Sequence, residues 1–352
     1  MKLKLSIYVA IALLGVGSQS FAQEPPTEPA AVVAKVTAAA TALINTLDEA
    51  QQKKLLFSFD DQAQRRNWSN LPVGSVPRKG LRWGDLNETQ QQAIWQLLTA
   101  TLSPKGVQQI VDNMGGDEIL KNRGNGGGGR GGSRGPDFGQ DAYYISILGT
   151  PSTTEPWMWQ FGGHHLGVNA TIVGDQITLS PTLTGGQPVN YELDGRKIRQ
   201  LAEEQSKAFE FIGTLTTEQR KIAAVDDQPR MNLAFGPGSD GAKTTPEGIN
   251  ISTLDQSQQS LLLDLIQTRV GLLNDVHAAV AMEKIAKRLD ETWFVWFGPT
   301  KPGGASAYRI QGPTVVIEYA PQQLGGDLSE HTHAMYRDPT NDYGAGSIAA
   351  RK

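Results

Sequence analysis

Only five histidines occur in 352 residues, and four of them stand in two tight clusters, His164-His165 and His331-Thr332-His333. Imidazole is a strong ligand for transition metals, and zinc or copper suits a site built mainly from it. In an extended segment the side chains at i and i+2 share a face, so His331 and His333 are spaced to address one ion. Adjacent His164 and His165 point to opposite faces of a regular strand, so only one of them joins such a site unless Gly162-Gly163 bends the chain into a turn or bulge. Three histidines are then the natural minimum and four the maximum. Three protein ligands leave a coordination position open to water or substrate.

Acidic and basic residues near these clusters extend the expected chemistry. Glu318 interrupts the apolar run of Val315, Val316 and Ile317 and is the candidate general base for a metal-bound water. Arg337 is the candidate clamp for an anionic substrate, although Arg337-Asp338 before Pro339 also suits a salt bridge that closes a turn. Asp338 and Asp342 are candidates to accept the second ring nitrogen of a ligating imidazole and so orient it. Three functions follow: a metal-dependent hydrolase or oxidase, a non-catalytic module binding a metal or small ligand, or a repeat scaffold whose histidines only satisfy buried polar groups. His277, inside a helical pattern, reads as packing.

Composition narrows the field. With no cysteine, thiolate catalysis, disulfides and iron–sulfur clusters are excluded, so any metal is held by nitrogen and oxygen. The formal net charge of −4 supplies no basic footprint for a nucleic acid. Lys2 and Lys4, the apolar run to Val16 and the small residues around Ala22 read as a cleavable signal peptide over residues 1–22, which predicts a periplasmic or secreted, soluble product with no membrane span.

The elements that must position the histidines form a repeated pattern. After a proline-rich leader at 23–31, helix-forming composition runs from Val32 to Leu55. Asp60-Asp61-Gln62 recurs as Asp226-Asp227-Gln228, in the manner of a repeated cap or turn. The segments beginning Asp85-Leu86 and Thr253-Leu254 each open an amphipathic helix. Strand-like segments then align at a constant offset of 149 residues: Asp141 to Gly149 with Asp290 to Gly298, and Trp159 to Asn169 with Tyr308 to Glu318. The expectation is an α+β fold of two tandem related units, 32–195 and 196–352, each with two helices followed by an antiparallel β-meander, packed as one globular body. Tyr143, Tyr144, Trp157, Trp159, Trp293 and Trp296 read as core or inter-unit packing, and the glycine-rich stretch at 122–135 as a loop. At this offset Pro313 and Thr314 fall where His164 and His165 stand, so the fold itself does not call for imidazole there.

The run Trp159-Gln-Phe-Gly-Gly-His164-His165-Leu166, the Leu-x-x-x-Gln helix starts, and the C-terminal His331-Thr-His333-Ala-Met-Tyr-Arg337-Asp338-Pro339-x-Asn341-Asp342-Tyr343-Gly344 resemble the DUF3500 family over most of the chain. The resemblance implies no activity, because that family has no assigned function.

Overall fold

A computed structural model describes residues 28–125, 137–323 and 327–351. The expected signal segment, most of the leader and most of the glycine-rich stretch lie outside the described residues. In chain order the first elements are helices α1 (Pro29–Asn45) and α2 (Glu49–Leu55), strand β1 (Leu56–Phe57), helix α3 (Gln62–Arg65), strand β2 (Leu81–Arg82) and helices α4 (Glu88–Thr101) and α5 (Pro104–Leu120). Strands β3 (Tyr144–Leu148), β4 (Trp157–Gly163), β5 (Leu166–Val173) and β6 (Gln176–Gly186) follow, then a separate hairpin of β7 (Asn190–Leu193) and β8 (Arg196–Arg199). The sequence continues with α6 (Ala202–Thr214), α7 (Thr217–Ala223), β9 (Ala224–Asp226), β10 (Ile249–Asn250), α8 (Gln256–Val270) and α9 (Asp275–Ala286). It closes with β11 (Trp293–Phe297), β12 (Ala307–Gln311), β13 (Val316–Pro321), β14 (Thr332–Arg337) and α10 (Ala345–Ala349).

Local chemistry explains the helix starts. Asn87 and Asp255 each accept from the backbone amide three residues on, while Gln90 and Gln258 answer by accepting from the cap's own amide. Each box satisfies two donors that a helix terminus otherwise leaves bare. The same glutamines reach further: Gln90 donates to Thr46 O and meets Gln51, and Gln258 donates to Thr214 O and meets Gln219. The helical composition from Val32 to Leu55 resolves into two helices, because Thr46 caps back onto Leu43 O and Asp48 starts α2 with its own capping box. Helix α1 begins at Pro29, within the span read as leader, where proline suits a first turn. Asp61 caps α3, and Asp226 accepts from Gln228 N, so both acidic pairs do turn work.

The long sheet runs in the order β1-β3-β4-β5-β6-β14-β13-β12-β11-β10, with β2 also on β3 and β9 also on β11. Strands β3 to β6 and β11 to β14 are each antiparallel meanders, and they join where β6 and β14 pair antiparallel, Thr182 opposite Tyr336 and Thr184 opposite Ala334. More helices precede each meander than the two expected, and short edge strands do too. The division expected between residues 195 and 196 falls in the turn of the β7–β8 hairpin. Among the described residues no helix is long and apolar enough to cross a membrane.

Both faces of the sheet centre are covered, so strands such as β5 are buried along their whole length. One face, carrying Trp157, Trp159, Ile172, Ala334 and Tyr336, packs on the long helices. The other, carrying Leu148, Met158, Leu183 and Met335, lies under loop residues such as Trp68, Phe235 and Tyr343. Each fully buried aliphatic or aromatic side chain contributes about 1.5–3 kcal/mol, which makes this double-sided core the dominant cohesive element.

Candidate metal centre

The β4–β5 hairpin turns in only two residues, His164 and His165, between the paired Gly163 and Leu166. His165 takes a φ of +59°, a left-handed conformation that costs a non-glycine residue roughly 1–2 kcal/mol. The surroundings hold it there. His165 N donates to Asn70 O at 3.1 Å, Asn113 Nδ2 donates to His165 O at 3.1 Å, and Tyr143 Oη donates to His164 O at 2.9 Å. A Cβ on Gly163 would sit 2.9 Å from the Tyr143 ring, so the hairpin reaches its neighbour only because that residue is glycine.

The expected bend is made by the two histidines themselves, with Gly162 and Gly163 still paired in β4, and it lets both imidazoles leave on related sides. Their ring centroids lie 3.6 Å apart at 31°. His331 and His333 arrive from the start of β14, with ring centroids 5.1 Å apart. His333 pairs across the sheet with Gly185 on β6, and a Cβ there would come within 2.5 Å of His333 Cδ2, so the glycine makes room for the ring. Residues distant in sequence thus meet at the junction of the two meanders, with α5 on one side and the loop carrying Asn70 on the other.

His165 Nε2 lies 2.9 Å from His331 Nε2, and one nitrogen from each of His165, His331 and His333 lies within 4.8 Å of the others. All three side chains are buried. His333 Nε2 is buried without a hydrogen-bond partner among the described residues. Its other nitrogen, Nδ1, is 3.3 Å from the Asn70 side-chain amide. The amide nitrogen of Asn70 faces Nδ1; with the amide turned over to present its oxygen, Nδ1 would carry the proton and Nε2 would keep its lone pair for an ion. Burial first, and then the neighbouring imidazoles, push His165 and His333 well below the usual histidine range. Both are therefore neutral at neutral pH, the form that ligates.

The chain belongs to the DUF3500 family. The family model, described as a protein of unknown function, matches residues 29–345. Among curated proteins and among solved structures none matches the chain.

In this DUF3500 chain His164 plays a different part from its neighbour. Its Nδ1 meets Asp117 Oδ1 at 2.6 Å, and Phe138 packs on the ring at 4.8 Å between centroids. Asp117 is held in turn by Gly139 N at 2.9 Å. The group of three imidazoles does not include it.

The remaining expected site residues lie in other bonds. Glu318 accepts from the backbone amides of Phe235 at 2.9 Å and Ala234 at 3.2 Å, and faces Arg309 across the ladder at 3.9 Å. Arg337 is bonded to Asp342 at 2.6 Å, Asp240 at 2.9 Å and the carbonyl of Phe235 at 2.8 Å. Both side chains pin the same loop onto the sheet, which accounts for charged residues on buried strands without assigning them to the histidines. Asp338 is engaged by Lys284 at 2.8 Å and Thr340 N at 2.9 Å, and Asp342 by Arg337 and Ser180. The expected closure of a turn by Arg337 with Asp338 is made by Arg337 with Asp342 instead. His277 is a packed helix residue, its ring nitrogens on Asn274 Oδ1 and Asp175 O.

Asp117, Asn113 and Asn70 were not anticipated. A signal for the first two does exist: Asn113 and Asp117 share one face of α5 at helical spacing and bracket Gly115-Gly116, residues that weaken a helix unless something must pack closely. What packs there is the β7–β8 hairpin, since a Cβ on Gly115 would sit 2.7 Å from Leu193 and one on Gly116 3.2 Å from the Tyr191 ring.

Proposed function

We propose that this DUF3500 chain is an exported metal-binding protein that holds one transition ion, zinc or copper, on the Nε2 atoms of His165, His331 and His333. The observation that carries the reading is the buried, unpartnered His333 Nε2 beside two further imidazoles. Leaving a buried polar nitrogen unpaired costs about 1–3 kcal/mol, and an ion shared by three neutral imidazoles converts that cost into coordination. His164 with Asp117, and Asn70, brace the ligands from outside.

Holding and handing on a metal, or sensing it, fits better than hydrolysis or oxidation. Glu318 and Arg337, the groups suited to base catalysis and anion clamping, are spent on the loop they anchor. Export rests on the signal-like segment 1–22, and descent of the two halves from one unit rests on the matched capping boxes and meanders.

Elemental analysis of protein purified without an affinity tag tests the reading. The expected result is about one ion per chain, lost in His331→Ala and in His333→Ala while both variants stay folded. Metal content unchanged in both, or no metal bound by the parent protein when zinc and copper are supplied, removes the proposal.

A further inference from the structure

Between β6, β14, α8 and α9, apart from the histidines, lies a cavity of about 200 Å³ that reaches the surface at Val280, a residue 44% exposed. Its body is apolar, built from Ile177 and Leu179 of β6, Val270 and Leu273 near α8, and Ala281 of α9. The charged groups of the wall are already matched. Lys284 pairs with Asp338 at 2.8 Å, and Arg269, with no exposed side-chain surface, lies against Glu204. His277 has both ring nitrogens on oxygens, Asn274 Oδ1 and Asp175 O. The amides of Gln176 and Asn341 are engaged as well, the first with Asp175 and the second with Thr178 and Ser347.

Tyr336 is the exception. It stands on the helix-facing side of β14 and lines the cavity with only 7% of its surface exposed. Its hydroxyl makes no hydrogen bond among the described residues and, unlike the sealed hydroxyl of Tyr308, keeps exposed surface. Burial first, and then the carboxylates of Asp338 and Asp342, hold it above the ordinary phenol range, so it stays a neutral donor. A phenol proton that faces an apolar cavity without an acceptor is costly, and an oxygen on a ligand removes that cost. A charge on the ligand gains nothing comparable, because it gives up its hydration beside Lys284 and Asp338, which already neutralise each other.

We infer that this cavity binds a small neutral ketone or alcohol, its oxygen accepting from the Tyr336 hydroxyl and its hydrocarbon lying along Ile177, Leu179 and Ala281. A cavity of about 150 Å³ with aliphatic walls takes one six-carbon ring, so about 200 Å³ admits a ring and one or two further atoms. The inference is independent of the histidine cluster.

Calorimetric titration of the protein with cyclohexanone and cyclohexanol, and with toluene, hexanoate and hexylamine for comparison, tests it. The ketone and alcohol are expected to bind saturably, and the two ions at least about tenfold more weakly. Tyr336→Phe removes the hydroxyl and keeps the ring, so it should weaken cyclohexanone about fivefold, the worth of one neutral hydrogen bond, and leave toluene, which has no oxygen, bound as before or more tightly. Ala281→Phe, which fills the cavity and leaves Tyr336 in place, should abolish binding of both and keeps the test decisive if the tyrosine variant does not fold. Absence of saturable cyclohexanone binding, an equal effect of Tyr336→Phe on cyclohexanone and toluene, hexanoate or hexylamine binding as tightly as the ketone, or ketone binding that survives Ala281→Phe overturns the inference.

Discussion

The β4–β5 and β12–β13 hairpins occupy matching places in their meanders and carry opposite chemistry. The first turns through His164 and His165, and the second through Pro313 and Thr314 inside a turn closed by Gly312 and Val315. Below the turns, Gln160 pairs with Asn169 across the first ladder, and Arg309 with Glu318 across the second. The helices differ in step. At equal distances from their caps Ser103 and Asn274, α5 presents Asn113, which donates to His165 O and to Gly185 O, and α9 presents Lys284, which reaches Asp338. Apolar positions recur in both hairpins because a strand needs them to bury its faces. The imidazoles and the asparagine that holds their turn occur once, so they answer to something other than the fold.

The widest separation between the two hairpins is in metal affinity. His165→Ala is expected to weaken zinc or copper binding by more than about 100-fold, the upper range seen when only an outer partner of a ligand is removed. Thr314→His, which puts imidazole at the matching place, is expected to add no site, because among the described residues the imidazoles able to share an ion are those of His165, His331 and His333. Competition against a chelator of known affinity measures both. A second ion gained by Thr314→His would show that the turn alone makes the site.

Stability should separate the cross-strand pairs in the opposite sense. Glu318→Ala strands two loop amides, each costing about 1–3 kcal/mol, and removes the carboxylate facing Arg309, which keeps its ion pair with Glu247. Asn169→Ala disturbs a neutral amide network, in which Gln160 Nε2 donates to Asn169 Oδ1 at 2.9 Å, and should cost about 1–3 kcal/mol. Urea denaturation compares the two. Metal content should stay unchanged in Glu318→Ala; a loss of metal there, with the fold intact, would return Glu318 to the site.

Much of this contrast was legible along the chain. The i, i+2 spacing of His331 and His333, the Gly-Gly before His164 and the 149-residue alignment of the strands are local or periodic patterns, and the strands fall where they place them. Edge strands of two or three residues, such as β1 and β10, are too short to show alternation. The partners of the imidazoles escaped for another reason. Asp117 meets His164 from 47 residues away and Asn70 meets His333 from 263 away, and no periodicity links residues brought together by the β6–β14 junction. A charge in an apolar run, as at Glu318 and Arg337, signals burial with a partner and does not say which partner.

The metal-free protein should also carry a pH signature that the second hairpin cannot supply. His165 and His333 stay neutral in the fold well below the pH at which free histidine, near 6.5, takes up a proton. Between those limits the unfolded chain binds more protons than the folded one, so stability is complete above about pH 6.5 and falls as the pH drops below it. One unit below, each group contributes a loss of about 1.4 kcal/mol, near 3 kcal/mol for the pair. Denaturation midpoints at pH 7.5, 6.5 and 5.5, about one unit apart around the histidine value, follow it. A double His165→Ala, His333→Ala variant should flatten that trend, and an equally steep trend in the variant places the protonation elsewhere.

The smallest contrast lies in the helices. Lys284 is 42% exposed, and its ion pair with Asp338 stands partly in water, so Lys284→Ala should cost about 0.2–1 kcal/mol and leave metal affinity untouched. Asn113 is buried, and Asn113→Ala strands the carbonyls of His165 and Gly185 at once, for about 1–3 kcal/mol. The asparagine also fixes the left-handed turn that aims His165, so its loss should weaken the metal by about 10-fold or more, as removal of an outer support does. Asn113→Asp separates aim from stability, because a carboxylate facing two carbonyl oxygens repels them where the amide donated. If Asn113→Ala lowers stability but binds metal as the parent does, the strained turn serves only the hairpin, and the asymmetry between α5 and α9 loses its functional meaning.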